Sequence, residues 1–154
     1  MKKFLFYFAV TGWTLGLIVH LLSIADYNVS DKVPFVWLLH FGIFVVWLPG
    51  VFILIKNEGL NVFRQTPRCL TMIALAGFFY AILNFVLVMT ISHFGVPDIK
   101  NGQFILHDHG KLIKTLTEQE YHHYKVNDVR GFSGHWLAFY GLAAAILFPF
   151  DKQK

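Results

Sequence analysis

The chain has 154 residues, of which 56% are hydrophobic, 18% aromatic and only 14% charged. Because a water-soluble domain of this length carries roughly 25% charged residues, this composition excludes an ordinary soluble surface and predicts a membrane protein. The net charge of +4 comes without any cluster of basic residues interleaved with aromatic ones, so nucleic-acid binding is excluded as well.

Apolar segments follow one another along the chain and predict a single all-α domain of four transmembrane helices. They cover residues 4–25, 34–55, 70–93 and 132–150. At 1.5 Å per residue the first two reach about 33 Å, enough for a hydrocarbon core of about 30 Å. The first segment follows two lysines, as a signal peptide does. Its apolar run exceeds the roughly 7–15 residues of a typical signal core, so we expect a retained span.

The positions of lysine and arginine predict that both termini lie in the cytoplasm. The first outer loop then carries only Lys32, and the basic residues of the long second outer loop are balanced by acidic ones. Short loops dominate this rule. The basic residues on the cytoplasmic side are Lys2, Lys3, Lys56, Arg64, Arg68, Lys152 and Lys154. This pattern is typical of small proteins of the bacterial inner membrane.

Small residues recur at a spacing of four within the predicted spans. The pairs are Gly12 with Gly16, Gly77 with Ala81, and Gly141 with Ala145. Such pairs let helix backbones approach closely, either between two copies of the chain or inside one four-helix bundle. Pro49 followed by Gly50 predicts a kink in the second span. Asn84, in the middle of the third span, needs a polar partner inside the bundle.

The loop between the third and fourth spans, residues 96–131, predicts a small module outside the membrane. Its first part contains two apolar stretches, 103–106 and 112–116, separated by Asp108-His109-Gly110. That tripeptide suits a tight turn with a positive φ at Gly110, so we expect a β-hairpin over residues 103–116. A module of this size does not fold alone, and it is expected to act as a lid over the bundle or to dock a partner.

A helix is expected to follow the hairpin, because Thr117 and Glu120 have the spacing of a capping box. We expect this helix to run from 118 to about 129. Gly131 and Gly134 should interrupt it, and Ser133 is a candidate cap for the fourth span. Arg130, at this junction, can pair with Asp128, with a lipid phosphate, or with a group across the bundle.

Histidine is the side chain most clearly concentrated on the expected outer side. His20, His40, His93 and His135 lie one in each span, and His107, His109, His122 and His123 lie in the module. Neutral imidazole is a common ligand of zinc and copper, and ionisable groups within spans usually face the bundle interior. The single cysteine excludes an intrachain disulfide and a cysteine-based metal site.

These histidines leave several hypotheses open. The candidate metal ligands are His20, His40, His93, His135, His107, His109 and His122. His123 lies about 100° from His122 around the helix, so the two cannot both reach one ion. His20 and His40, at similar depth, are the one pair that suits haem. The alternatives are a proton relay and a purely structural or interfacial role.

No motif of a known catalytic site occurs in the sequence, whether HExxH, GxSxG, Walker A or GxGxxG. We therefore assign no catalytic residue. The sequence favours a non-enzymatic, multi-pass protein surrounded by lipid that forms a homo-oligomer or a subunit of a larger membrane complex. The alternatives are a metal- or haem-binding redox or transport protein and a small lipid-modifying enzyme with a histidine as general base.

Overall fold

The computed structural model describes residues 1–56 and 59–149, and within these residues the chain forms five α-helices and one three-stranded sheet. The helices are α1 (Lys2–Ile24), α2 (Val29–Lys32), α3 (Leu38–Lys56), α4 (Arg68–Ser92) and α5 (Glu118–Ile146). A 3₁₀ turn (Gly59–Arg64) precedes α4. The strands are β1 (Val96–Lys100), β2 (Gln103–Asp108) and β3 (Lys111–Thr115). The sheet end of the bundle is the end where α1 and α4 finish, α3 begins and the sheet lies.

Three of these helices, α1, α3 and α4, are long and apolar enough to cross a membrane. Their outward surfaces carry large apolar side chains such as Phe4, Phe52 and Leu83, each exposed by more than 60%. A continuous surface of this kind is stable against lipid hydrocarbon and not against water. The finding supports the predicted membrane protein. The last residue of the predicted fourth span, Phe150, lies outside the described residues.

The core of the bundle is built around α5, which packs against α1, α3 and α4. The second half of α5 is almost wholly buried. Its large side chains Trp136 and Tyr140 are the bulkiest fully buried residues of the described chain, and Ala143, Ala144 and Ala145 follow them. The small residues allow the neighbouring helices to approach closely while the aromatic rings fill the widest part of the core.

The sequence-based expectation that α5 would break near residue 131 is wrong, because the helix runs through both glycines without interruption. A Cβ on Gly131 would lie 3.3 Å from Val88 Cγ1, and a Cβ on Gly134 would lie 2.5 Å from Asn84 Nδ2. The two glycines thus make room for side chains of α4. This packing outweighs the weak helix propensity of glycine, about 1 kcal/mol per residue. Ser133 consequently lies inside the helix and caps nothing.

The small residues of α1 face α5, so they serve packing within one chain. A Cβ on Gly12 would lie 2.5 Å from Tyr140 Cζ, and a Cβ on Gly16 would lie 3.4 Å from Trp136 Cβ. Gly77 of α4 likewise lies against the backbone of α5. At these three glycines the structure shows packing inside one bundle, and contacts between copies stay a prediction.

The second apolar segment becomes helical later than expected. Residues 34–37 form a turn, and α3 begins at Leu38. The residue before Pro34 has an extended backbone, with φ −125° and ψ 86°, as the proline ring requires of its predecessor. Pro49, expected to kink this span, lies inside α3.

The predicted hairpin is present as β2 and β3, which are antiparallel and joined by a two-residue turn at His109 and Gly110. Both turn residues have positive φ, 46° and 85°, as in the type I′ turns that match the twist of a hairpin. The sheet also contains β1, which pairs with β2 and was not expected. Its Pro97 and Asp98 are poor strand formers, so local propensity does not predict a strand here.

The capping box at the start of α5 is confirmed. Thr117 Oγ1 accepts from the Glu120 N–H (3.2 Å), and Glu120 Oε2 accepts from the Thr117 N–H (2.8 Å). Lys114 Nζ donates to the other carboxylate oxygen and so ties β3 to α5. The bond from Lys114 and then the bond from the Thr117 N–H lower the pKa of Glu120 to about 2.

We expect the protein to lose stability in acid as Glu120 becomes protonated. Because the pKa is lowered on folding, the carboxylate stabilises the fold above the ordinary glutamate pKa of about 4.3, and this contribution disappears as the pH falls through about 2. Thermal unfolding of the detergent-purified protein, followed by circular dichroism from about pH 7 to about pH 3, measures the effect. Glu120→Gln should flatten the profile, whereas the exposed Glu118→Gln should keep it. An equally steep profile for Glu120→Gln would contradict the assignment.

Candidate functional site

In the structure, most of the candidate metal ligands lie within hydrogen-bond or ion-pair distance of another residue of the chain. His40 accepts from Trp136 Nε1 (3.4 Å), and His135 Nδ1 lies 2.8 Å from the carbonyl of the preceding helical turn. In the sheet, His107 lies 3.8 Å from an Asp98 oxygen, and in the turn after β2, His109 lies 2.6 Å from an Asp108 oxygen. His93 ends α4 in a left-handed conformation.

Across residues 1–56 and 59–149, no group of three or more His, Cys, Asp or Glu side chains is placed to hold a metal ion. Zinc, copper or haem binding by the histidines named from the sequence stays a prediction, which metal analysis and an absorption spectrum of the purified protein would test. The structure brings two histidines onto one shared residue, Asp26. His123 Nδ1 lies 2.8 Å from its carboxylate, and His122 Nε2 lies 3.1 Å from its carbonyl oxygen. This contact fastens the end of α1 to the start of α5.

The contacts of His20 form a different kind of site, buried between helices. His20 is 2% exposed, and its ring bridges α4 and α5. We assign the Ser133 hydroxyl hydrogen to the carbonyl of Arg130 (3.2 Å), so that Ser133 Oγ accepts from His20 Nδ1 (2.8 Å), because this tautomer gives every donor an acceptor. The other ring nitrogen, Nε2, then accepts from the Tyr80 hydroxyl (2.5 Å). Every donor in this series of hydrogen bonds has an acceptor when His20 is neutral and carries its proton on Nδ1.

Asn84 connects these hydrogen bonds to the side chain of Arg130. Its Nδ2 donates to the Arg130 carbonyl (3.0 Å), and its Oδ1 accepts from Arg130 Nε (3.1 Å). Asn84 is 2% exposed, and these two hydrogen bonds satisfy its amide as both donor and acceptor inside the bundle. We call the five side chains of His20, Tyr80, Asn84, Arg130 and Ser133 the polar network. Arg130 carries its one formal charge.

The terminal nitrogens of Arg130 are not engaged by this network. Neither Nη1 nor Nη2 has a hydrogen-bond partner in the described part of the chain, and neither is buried from solvent. No carboxylate there lies within 4.0 Å of the guanidinium, so the pairing with Asp128 considered from the sequence is absent. The guanidinium is held at Nε and open at its other end.

Sequence reasoning identified Asn84 and Arg130 separately, took Ser133 for a helix cap and missed Tyr80. A signal was present. Tyr80 precedes Asn84 by four residues and Arg130 precedes Ser133 by three, which are the spacings that put two side chains on one helical face. Polar pairs of this spacing inside apolar segments usually face another helix. That these faces of α4 and α5 pack against each other could be seen only in the structure.

The fold and the polar network define a mostly helical protein in which three helices, α1, α3 and α4, are long and apolar enough to cross a membrane, and hydrogen-bonded polar side chains join α1 and α4 to α5. No protein-family model, no curated protein and no solved structure matches the chain. The function is therefore argued from these contacts.

Proposed function

We propose that the chain is a four-span membrane protein in which α5, from about residue 132, is the fourth span and both termini lie in the cytoplasm. The burial of this part of α5 among three helices of spanning length supports the assignment. The basic residues near the end of α3 and the start of α4 support the orientation, as does the small basic content of the loop after α1. The bacterial inner membrane is the proposed location.

Within that membrane, we propose a non-enzymatic subunit that assembles with a second copy through β3. The observation that carries this proposal is the solvent exposure of β3. All five of its residues are exposed, including the apolar Leu112 and Ile113. Among residues 1–56 and 59–149 the strand lies at the edge of the sheet, so one row of its N–H and C=O groups has no partner strand there.

The other edge of the sheet is less suited to pairing. β1 contains Pro97, which has no N–H to donate, and it packs against α5 together with β2. Two β3 strands can pair antiparallel across a twofold axis, which extends the sheet from one copy to the other. This arrangement makes the module of residues 96–131 a docking surface, and it favours that role over the lid.

Cysteine cross-linking in membranes tests the assembly. In a Cys69→Ser background, we expect cysteine at Leu112 or at Ile113, the middle residue of β3, to give a disulfide-linked dimer under mild oxidation. Paired residues of adjacent antiparallel strands have Cα atoms about 4.5–5.5 Å apart, which suits a disulfide. The matched control is Ile99→Cys, an exposed position on β1 that should stay monomeric. Equal cross-linking at all three positions, or a monomeric mass in nanodiscs, would overturn the proposal.

A further inference from the structure

We propose that Arg130 binds the phosphate group of a membrane lipid at the polar network near the sheet end of the bundle. The inference rests on the proposed membrane location of α5 and is independent of assembly through β3. It assigns a ligand chemistry, a phosphodiester, to the open end of the guanidinium.

The first support is the geometry of Arg130. Its Nε is fixed by Asn84 Oδ1, whereas Nη1 and Nη2 are accessible and have no partner among residues 1–56 and 59–149. A guanidinium presents its N–H groups as a planar fork, and this fork matches the oxygens of a phosphate. Holding the side chain at Nε orients the fork before a ligand arrives, which reduces the entropy lost on binding.

The second support is the charge balance of the site. The hydrogen bonds of His20 and Ser133 are satisfied with both side chains neutral, so the polar network has a positive charge and no negative one. The ion pairs of the described chain lie in the sheet, at the start of α5 and at Asp26, none of them at Arg130. An unpaired cation between membrane helices is costly, and an anion at the open side of Arg130 would offset that cost.

The third support is depth. Arg130 lies two residues before the proposed start of the fourth span, at about residue 132. A long basic side chain at the end of a span can extend toward the headgroup level, where lipid phosphates lie. A lipid phosphate is therefore the anion most readily available to this position, and free phosphate is the other source of the same chemistry.

Lipid titration of the full chain in dodecyl maltoside, a detergent without phosphate, tests the proposal. Three probes are compared by native mass spectrometry and by the change in melting temperature: phosphatidylglycerol, a phosphate-free galactosyl diacylglycerol, and inorganic phosphate. We expect saturable binding of phosphatidylglycerol with little binding of the galactolipid. Arg130→Gln should weaken that binding about tenfold to hundredfold, because it removes hydrogen bonds to a charged partner.

Two further variants make the result specific. Lys125→Gln removes a positive charge from the same helix, closer to the sheet end, and should change the affinity by no more than about twofold. Arg130→Lys keeps the charge but loses the fork, so it should also bind more weakly, and it replaces Arg130→Gln if that variant does not fold. Equal affinity of wild type for the phosphate-free lipid, or unchanged binding by both Arg130 variants, would overturn the proposal. Binding of inorganic phosphate as tight as that of phosphatidylglycerol would overturn the assignment to lipid.

Discussion

Replacing Gly12 with alanine should destabilise the protein by about 2–3 kcal/mol, whereas the same substitution at Gly16 should be neutral or slightly stabilising. The two glycines belong to one GxxxG pair on α1, yet they meet different parts of α5. A Cβ at position 12 would overlap the Tyr140 ring, at 2.5 Å from Cζ. A Cβ at position 16 would make an ordinary contact of 3.4 Å with Trp136 Cβ.

The Tyr140 ring cannot move aside to accept the extra methyl group. Its hydroxyl donates to the carbonyl of Leu39 (2.7 Å), and the same hydroxyl lies against Gly42, where a Cβ would also overlap it. The ring is therefore held between Gly12 on α1 and Gly42 on α3. An overpacked side chain that cannot rotate away must displace a backbone, and this is the costly form of overpacking.

Reversible unfolding in mixed detergent, followed by tryptophan fluorescence, measures both substitutions on the same scale. Replacing Tyr140 with leucine removes the ring, so Gly12→Ala should cost much less in a Tyr140→Leu background. Equal losses at positions 12 and 16, together with a smaller assembled mass, would instead indicate that the GxxxG pair is a contact between copies.

The parts of this fold that could be predicted from the sequence depend on neighbouring residues. The turn at His109 and Gly110 needs only a backbone that tolerates positive φ, and the capping box at Thr117 needs only a glutamate three residues later. The apolar segments likewise predict α1, α3 and α4 from their own composition. In each case the sequence signal and the structure it predicts lie within one local segment.

The parts that could not be predicted depend on residues far apart in the chain. Gly134 favours a helix break by its own propensity, and only the Asn84 side chain opposite explains why a glycine stands inside α5. Asn84 and Arg130 lie 46 residues apart, and His20 lies 113 residues from Ser133. Each residue could be identified as a polar group in need of a partner, but the partner depends on how the helices pack.

The contact between Asn84 and Gly134 also predicts an unusual coupling between two substitutions. Asn84→Ala should destabilise the protein by about 2–3 kcal/mol, because it leaves the charged Arg130 Nε without its partner and removes one of the hydrogen bonds to the Arg130 carbonyl. Gly134→Ala alone should cost about 1–3 kcal/mol, since its Cβ would lie 2.5 Å from Asn84 Nδ2 and displace the amide.

Once Asn84 is alanine, the space that the new methyl group needs is empty. Gly134→Ala should then lose its cost and can stabilise by about 0.5–1 kcal/mol, because alanine is the better helix former. The control is Gly131→Ala, whose Cβ would meet Val88 and not Asn84, so its effect should be the same in both backgrounds. A double-mutant cycle of unfolding free energies separates the two cases. Simple additivity of Asn84→Ala and Gly134→Ala would mean that α5 does not pack on α4 in this register, and Arg130 would then lose the group that orients it.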